Sequence, residues 1–428
     1  MSSNDFVIFA LQVAVMLAMA LVSGQIMRRF HQPPVLGEMI GGIFLGPTVL
    51  GLLAPGFYGW LFESSANVGV LRDATIKLGM LFFLFIAGLE IDLADLRRLG
   101  KRAISIGLVG TLLPIAAGVG LVYALPDAFW GEIIAAHKLS FALFIGMNLA
   151  NSANPVIARI LMDLNLLRGE LGTMIMTATI VDDLVNWTLF AIILADIAPS
   201  AGGAVIPTGG IATTVLVVLL FFVLILGIGR KIGPPALAWA RRRLPWPNGF
   251  IAMTAVVILA AGTLSEALGI HAFLGAFLAG VALGSKDEEC NEAHEVISFF
   301  VLSFFAPIYF VSMGMNTNFI IHFDGVLVVL VLAAAMVSKL GAVLLGARLA
   351  GMRLNRDTWA IAFGLNARGA TGIILAGVGL ANGLIDERIF VAIVLMALLT
   401  SLMSGPAMQA LLSHHRVVKQ ISHHPAAD

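Results

Sequence analysis

Residues 177–192 read TATIVDDLVNWTLFAI, an apolar run with two adjacent aspartates, Asp182 and Asp183, near its middle. The run belongs to a stretch of about residues 170–195 that is long enough to cross a bilayer as one helix. A carboxylate at that depth is costly, and an ionisable residue inside a membrane span is a functional hypothesis by default. The stretch therefore predicts a membrane helix that carries a functional acidic pair.

The composition of the whole chain of 428 residues agrees with this prediction. Hydrophobic residues make up 59% and charged residues 12%, whereas soluble domains have about 45–50% and about 25%. The formal net charge of zero gives no reason to expect a nucleic-acid partner. One cysteine, Cys290, excludes a disulfide framework and a cysteine-based metal cluster. We expect an all-α polytopic membrane protein that is not an enzyme and has no cofactor.

Thirteen apolar stretches are candidates for membrane spans. They cover approximately residues 6–27, 34–53, 75–92, 103–125, 139–163, 170–195, 209–230, 249–268, 270–285, 297–315, 325–349, 358–382 and 388–412. The polar remainder is too short for a folded regulatory domain, and 413–428 is expected to be a short cytoplasmic tail. Most of the 25 Lys and Arg residues fall on one side of this arrangement. The positive-inside rule then predicts an N-terminus outside and a C-terminus in the cytoplasm.

A lysine lies at a similar depth in another span. Lys339 is near the middle of the eleventh span, in AAAMVSKLGAVLL. A structural ion pair with Lys339 needs only one of the two aspartates. The second carboxylate would add a negative charge in lipid that no structural role requires. Adjacent residues on a helix point about 100° apart, so one aspartate can pair with Lys339 while the other faces a water-filled cavity. A purely structural pair remains the alternative.

Two spans contain interruptions. The fifth carries Asn151 and Ser152 and is interrupted by Asn154-Pro155 in LANSANPVIARIL, and the twelfth carries Asn366 and Arg368 in LNARGATG. Proline removes a backbone hydrogen bond and clashes with the preceding turn, and a broken helix is tolerated in lipid only where it is buried or lines a cavity. Freed carbonyls with Asn and Ser oxygens suit Na⁺ or K⁺, although a plain kink is the alternative. Paired interruptions in two halves indicate a transporter site built by inverted repeats.

Six segments together carry a family resemblance. The chain resembles the monovalent cation:proton antiporter superfamily, and within it the Kef-type and CHX-type branch, from about residue 6 to 412. The segments are QPPVLGEMIGGIFLGPTVLG (32–51), LFFLFIAGLEIDL (81–93), ANPVIARIL (153–161), TATIVDDLVNW (177–187), GIHAFLGAFLAG (269–280) and NARGATGIILA (366–376).

The resemblance implies a NhaA/NapA-like fold with inverted repeats, two crossing broken helices and elevator-type alternating access. It also implies a homodimer. The core domain is expected at about residues 75–195 and 297–382. Dimerisation and scaffold helices are expected at about residues 6–53, 209–285 and 388–412.

The resemblance also assigns roles to single residues. Asp183 matches the acid that binds the ion or the proton. Asp182 matches the first acid of the pair, and Lys339 stands where its lysine partner is expected. The hydroxyl of Thr179, one turn before Asp183, is placed to reach the ion. Less defined supporting roles fall to Glu90, Arg159, Asn366 and Arg368, in addition to the interruption residues Asn151 and Ser152.

These residues predict an electrogenic antiporter of the bacterial inner membrane that exchanges Na⁺ or K⁺ for protons. One alternative is a Kef-type potassium efflux transporter without the nucleotide-binding domain, since the chain ends at Asp428. Another is an organic-anion transporter on the same fold. An intramembrane aspartyl protease needs its two aspartates on different helices and a GxGD motif, which the sequence lacks. A channel needs a filter loop, and no TVGYG-like loop occurs.

Overall fold

The computed structural model describes residues 3–89, 101–131, 137–197 and 248–421, together with scattered positions between 216 and 245. The described ranges have short gaps at 31, 33, 165, 167–168, 269–271, 284–294 and 316. Within them, all regular structure is helical.

The helices have the following bounds. They are Ser3–Arg29 (α1), Pro34–Leu45 (α2), Leu50–Leu53 (α3), Pro55–Phe62 (α4), Ala66–Leu89 (α5), Lys101–Ala124 (α6), Asp127–Trp130 (α7), Lys138–Ala150 (α8), Asn154–Asp163 (α9), Glu170–Ile197 (α10), Asn248–Ala267 (α11), Ala272–Leu283 (α12), Ala306–Met315 (α13), Gly325–Leu349 (α14), Arg356–Leu365 (α15), Gly369–Ala381 (α16) and Glu387–Ile421 (α17). A π-helical turn, Val301–Phe305, leads directly into α13.

Eight helices in the described ranges are long and apolar enough to cross a membrane. The predicted fifth and twelfth spans are each divided into two short helices, α8 with α9 and α15 with α16. Most of the predicted span 209–230 lies outside the described residues. An all-helical membrane protein is therefore confirmed, and the count of thirteen spans stays a prediction.

The contacts between residues divide the chain into two compact units. The first unit consists of Met1–Phe30, Pro34–Arg97 and Phe190–His322, and the second of His31–Pro33, Arg98–Leu189 and Phe323–Asp428. These bounds group residues 75–89 and 297–315 with the first unit and α17 with the second. The sequence-based division instead places residues 75–89 and 297–315 in the core domain with α10, and α17 with the dimerisation and scaffold helices. The assignment of core and dimerisation functions to these parts stays a prediction.

Close backbone contacts between helices mark the first unit. Helix α1 packs on α2 and α13, and α12 packs on α5 and α11. A Cβ atom at Gly42 on α2 would lie 2.0 Å from the carbonyl oxygen of Val311 on α13, so only glycine fits there. Small residues that let backbones approach are typical of helix contacts in membranes. Met16, Leu45, Leu61, Phe62 and Ile308 belong to the apolar cluster around this contact.

The second unit is built around α6, α14 and the divided helices. Helix α6 packs on α14 and α8, and α17 packs on α14, α15 and α16. At the contact of α6 with α8, a Cβ atom at Gly118 would lie 2.3 Å from the Cα atom of Gly146. An apolar cluster that includes Ile157, Ala178, Val343, Ile361 and Met408 joins α9, α10, α14, α15 and α17. This packing brings the interrupted helices next to the helix with the aspartate pair.

Candidate ion-binding site

The two helix interruptions meet in the second unit. Helix α8 ends at Ala150 and α9 begins at Asn154, with proline in its first turn. Proline fits there because the first turn of a helix does not need its N–H group. The backbone N–H of Ala153 donates to the carbonyl oxygen of Ala367 at 2.7 Å. The hydroxyl of Ser152 donates to the carbonyl oxygen of Leu365, also at 2.7 Å. Each interruption thus satisfies polar groups of the other.

Two buried cations cap the carboxyl end of α8. Arg368 donates to the carbonyl oxygen of Leu149 at 2.5 Å and to that of Ala335 at 2.9 Å. Lys339 donates to the carbonyl oxygen of Ala150. The last carbonyls of a helix lack partners within it and form the negative end of the helix dipole. Both cations are thereby stabilised even though they are 0% and 1% exposed.

Asp182 lies in a network of three donors. Its Oδ2 is 3.2 Å from Nζ of Lys339, and its Oδ1 accepts from the hydroxyl of Thr111 at 2.5 Å and from the amide of Asn186 at 3.2 Å. The ion pair expected between Lys339 and one of the two aspartates is therefore present, and Asp182 makes it. A buried charge needs a partner and hydrogen bonds to offset its desolvation, and Asp182 has both.

Asp183 faces the start of α9. Its Oδ2 accepts a hydrogen bond from the side-chain amide of Asn154, and the residue is 6% exposed. The Oδ1 of Asn154 is buried and has no hydrogen-bond partner among the described residues. Thr179 is buried one turn before Asp183, and its hydroxyl donates to the carbonyl oxygen of Met176 at 2.7 Å. The carboxylate of Asp183 and the hydroxyl of Thr179 on α10, together with the amide oxygen of Asn154 at the start of α9, are thus the oxygen atoms that could bind a cation here.

The remaining predicted site residues have different surroundings. The hydroxyl of Ser152 is engaged with the second interruption. Both amide atoms of Asn151 are buried without a partner among the described residues, and Asn366 accepts from the guanidinium of Arg368 at 2.7 Å. Glu90 and the side chain of Arg159 lie outside the described residues.

Sequence reasoning did not assign three residues to the site, although it named Asn154 as part of the helix interruption. Thr111 and Asn186 bind Asp182, and Asn154 binds Asp183. Asn154 had a usable signal, because an amide next to the proline of a broken helix is close to freed backbone groups. Asn186 also had one, since it follows Asp182 by one helical turn. Thr111 had none, because its role depends on α6 packing against α10.

Two broken helices that meet at the bilayer midplane are typical of ion-coupled membrane transporters, and here they meet beside a buried aspartate pair and a buried lysine. The family model described as sodium/hydrogen exchanger, transmembrane, matches residues 15–414. The chain belongs to this family of transmembrane sodium/hydrogen exchangers, which confirms the membership of the monovalent cation:proton antiporter superfamily predicted from the six segments.

Individual relatives support the same conclusion. Cation/H⁺ antiporter 18 of Arabidopsis thaliana is 33% identical over 423 residues, which are 96% of this chain and 50% of the relative. The chain therefore spans about half the length of this plant relative. The Na⁺/H⁺ antiporter NhaS4 of Synechocystis is 29% identical over 95% of this chain and 97% of its own.

A solved structure shows the same fold. The sodium proton antiporter MjNhaP1 of Methanocaldococcus jannaschii at pH 8 matches with a TM-score of 0.62 over 96% of this chain and 97% of its own. The sequence identity is 12%, so this similarity concerns the fold alone.

Proposed function

We propose that the protein exchanges a monovalent cation, Na⁺ or K⁺, for protons across a membrane. The observation that carries this proposal is the different engagement of two adjacent carboxylates. Asp182 is held by Lys339, Thr111 and Asn186, whereas Asp183 meets the amide of Asn154 at a helix break. The names of the relatives, which describe cation/H⁺ and Na⁺/H⁺ antiporters, agree with it.

In this mechanism Asp183 binds the cation and the proton in turn. A bound cation displaces the amide N–H of Asn154, because the carboxylate oxygen cannot accept that hydrogen bond and hold a metal ion in the same direction. Rotation of the Asn154 amide then turns its unpartnered Oδ1 to the cation, and the hydroxyl of Thr179 supplies a further oxygen. A proton on Asp183 excludes the cation, and this exclusion couples the two flows.

In this mechanism the empty, charged site does not cross the membrane. Moving an uncompensated charge through lipid is costly, so the site crosses when Asp183 holds a proton or a cation. We propose that Lys339 releases a proton as Asp182 changes its hydrogen bonds, so that two protons move per cation. One net charge then crosses in each cycle, worth about 2.3 kcal/mol per 100 mV.

The proposed transport domain is the second unit, which contains the site. We propose that it moves in an elevator-type cycle with the first unit as scaffold, in a homodimer of the bacterial inner membrane with its N-terminus outside. Alternating access predicts that Asn151→Cys, in a chain without Cys290, reacts with membrane-impermeant maleimide from either side. Reaction from one side only, under both directions of the pH gradient, would contradict the cycle.

The direct test measures exchange in inside-out vesicles. Addition of Na⁺ or K⁺ to vesicles with an acid interior should restore the fluorescence of a quenched pH-sensitive dye, and Asp183→Asn should abolish the response. Asp196→Asn, the same change on α10 thirteen residues further on, should leave it intact. Full exchange by Asp183→Asn would overturn the proposal. In proteoliposomes an imposed membrane potential should change the wild-type rate, and a rate that ignores it would exclude electrogenic exchange.

A further inference from the structure

A cavity of about 460 Å³ opens at one end of the second unit. It lies where α6, α10 and α15 begin, and it includes the loop that joins α14 to α15. Its volume is in the range of small-molecule sites, which combine an apolar lining with a few polar groups. Met174 on α10 and Ile361 on α15 contribute apolar surface, while Arg102, Arg353, Glu170 and Asp357 contribute charge.

The acids of the cavity have a structural explanation. Glu170 lies in the first turn of α10 and Asp357 in the first turn of α15. A carboxylate near a helix N-terminus is stabilised by the positive end of the helix dipole. Their presence therefore follows from the helix starts.

The arginines have no such explanation. Arg102 lies in the first turn of α6, which contains no acidic residue, and a cation is unfavourable at that end of a helix. Among the described residues, neither Arg102 nor Arg353 has an ion-pair or side-chain hydrogen-bond partner. The cavity thus contains two solvent-exposed guanidinium groups that are not engaged by a side chain of the described part of the chain.

The loop that carries Arg353 is held in place. The carbonyl oxygen of Arg353 accepts from the hydroxyl of Thr358 at 2.7 Å and from the backbone N–H of Asn355 at 3.0 Å. The side chain of Asn355 in turn caps α15 by accepting from the backbone N–H of Thr358 at 3.0 Å. A fixed loop reduces the entropy lost when Arg353 binds a ligand.

We propose that this cavity binds a phosphate-bearing anion with an apolar portion, and that Arg102 and Arg353 hold its phosphate. A guanidinium group binds phosphate through two parallel hydrogen bonds, and the apolar surface of Met174 and Ile361 receives the rest of the ligand. The two acids keep the net charge of the cavity low, which favours a singly charged phosphodiester over a polyanion. The shared chemistry fits a phospholipid headgroup or a soluble phosphate compound.

The position of the cavity connects it to the ion site. Met174 precedes Asp182 by eight residues on α10, about 12 Å along the helix axis. Ile361 lies on α15, which ends at the second interruption. A ligand here contacts both helices that lead to the site. The binding itself does not depend on which ion the protein transports, so its test is independent of the proposed exchange.

The test uses the full chain in dodecyl maltoside micelles, which contain no phosphate. Inorganic phosphate, compared with chloride at equal ionic strength, tests the soluble source, and added phosphatidylglycerol tests the lipid source. One of the two should raise the midpoint of thermal unfolding by about 2 °C. The double variant Arg102→Gln with Arg353→Gln should lose this shift. Arg356→Gln, a neighbouring arginine that does not line the cavity, should keep it.

The outcomes distinguish a soluble ligand from a lipid ligand, and both from a cavity that binds no phosphate. A shift with inorganic phosphate identifies a soluble ligand, and a shift with phosphatidylglycerol alone identifies a lipid. No shift of the wild type with either probe overturns the proposal, as does an equal shift in the wild type and the double variant. If the double variant is lost on extraction, Arg353→Gln alone is compared with Arg356→Gln by the same measurement.

Discussion

The two units differ in what they bury. All four buried charged side chains of the described part of the chain, Asp182, Asp183, Lys339 and Arg368, are in the second unit. The described part of the first unit buries uncharged polar groups, such as those of Gln12, Thr48 and Ser312. Buried charges cost free energy that apolar packing does not. The first unit therefore relies on close helix packing, whereas the second also holds a costly network of buried charges, which the proposed ion exchange uses.

Lys339→Ala tests this difference with the largest expected effect on stability. Removal of the amine leaves Asp182 buried without its cation, which should cost about 3–5 kcal/mol of unfolding free energy. Lys77→Ala on the exposed surface of α5 in the first unit should change stability by less than about 0.5 kcal/mol. Chemical unfolding in detergent measures both. Equal effects would remove the contrast between the units.

Thr111→Val sharpens the comparison by removing a single hydroxyl. The hydroxyl lies 2.5 Å from a carboxylate oxygen of Asp182 and 2.7 Å from the carbonyl oxygen of Gly107 in its own helix, and loss of the hydrogen bond to the charged group should cost about 1.5–3 kcal/mol. The matched variant is Thr254→Val on α11 of the first unit, where the hydroxyl donates to the carbonyl oxygen of Phe250 in its own helix. That carbonyl belongs to a helix ladder, so this change should cost less than about 1 kcal/mol. A Thr254→Val loss as large as that of Thr111→Val would show that burial alone sets the cost.

Gly42→Ala probes the close packing of the first unit. The new methyl group would clash with the carbonyl oxygen of Val311, and overpacking of this kind should cost about 1–3 kcal/mol. The cation concentration for half-maximal exchange should not change, because the site lies in the other unit. Gly69→Ala on α5, where nothing lies within 4 Å of the new atom, should be neutral or slightly stabilising. A changed cation dependence in Gly42→Ala would contradict a purely structural role.

The sequence was sufficient for the features that depend on local pattern. Apolar length predicted most helices, because lipid requires about 20 such residues, and Pro155 predicted the first interruption. The Lys339 ion pair also followed, since two opposite charges in lipid need each other. The packing partners could not be predicted. Thr111 is recognisable as a partner of Asp182 only once α6 lies against α10. Ser152, which was predicted to bind the ion, donates to the carbonyl oxygen of Leu365 at the second interruption. The roles of Glu90 and Arg159 remain predictions.

The paired hydrogen bonds between the interruptions have a genetic consequence. Ser152 and Leu365 are 213 positions apart. Because they share a hydrogen bond, a change of backbone geometry at one displaces the partner at the other. A lesion in the 150s should therefore be repaired by second-site suppressors in the 360s more often than by neighbours along the chain. Among related sequences, substitutions in these two short segments should therefore be correlated.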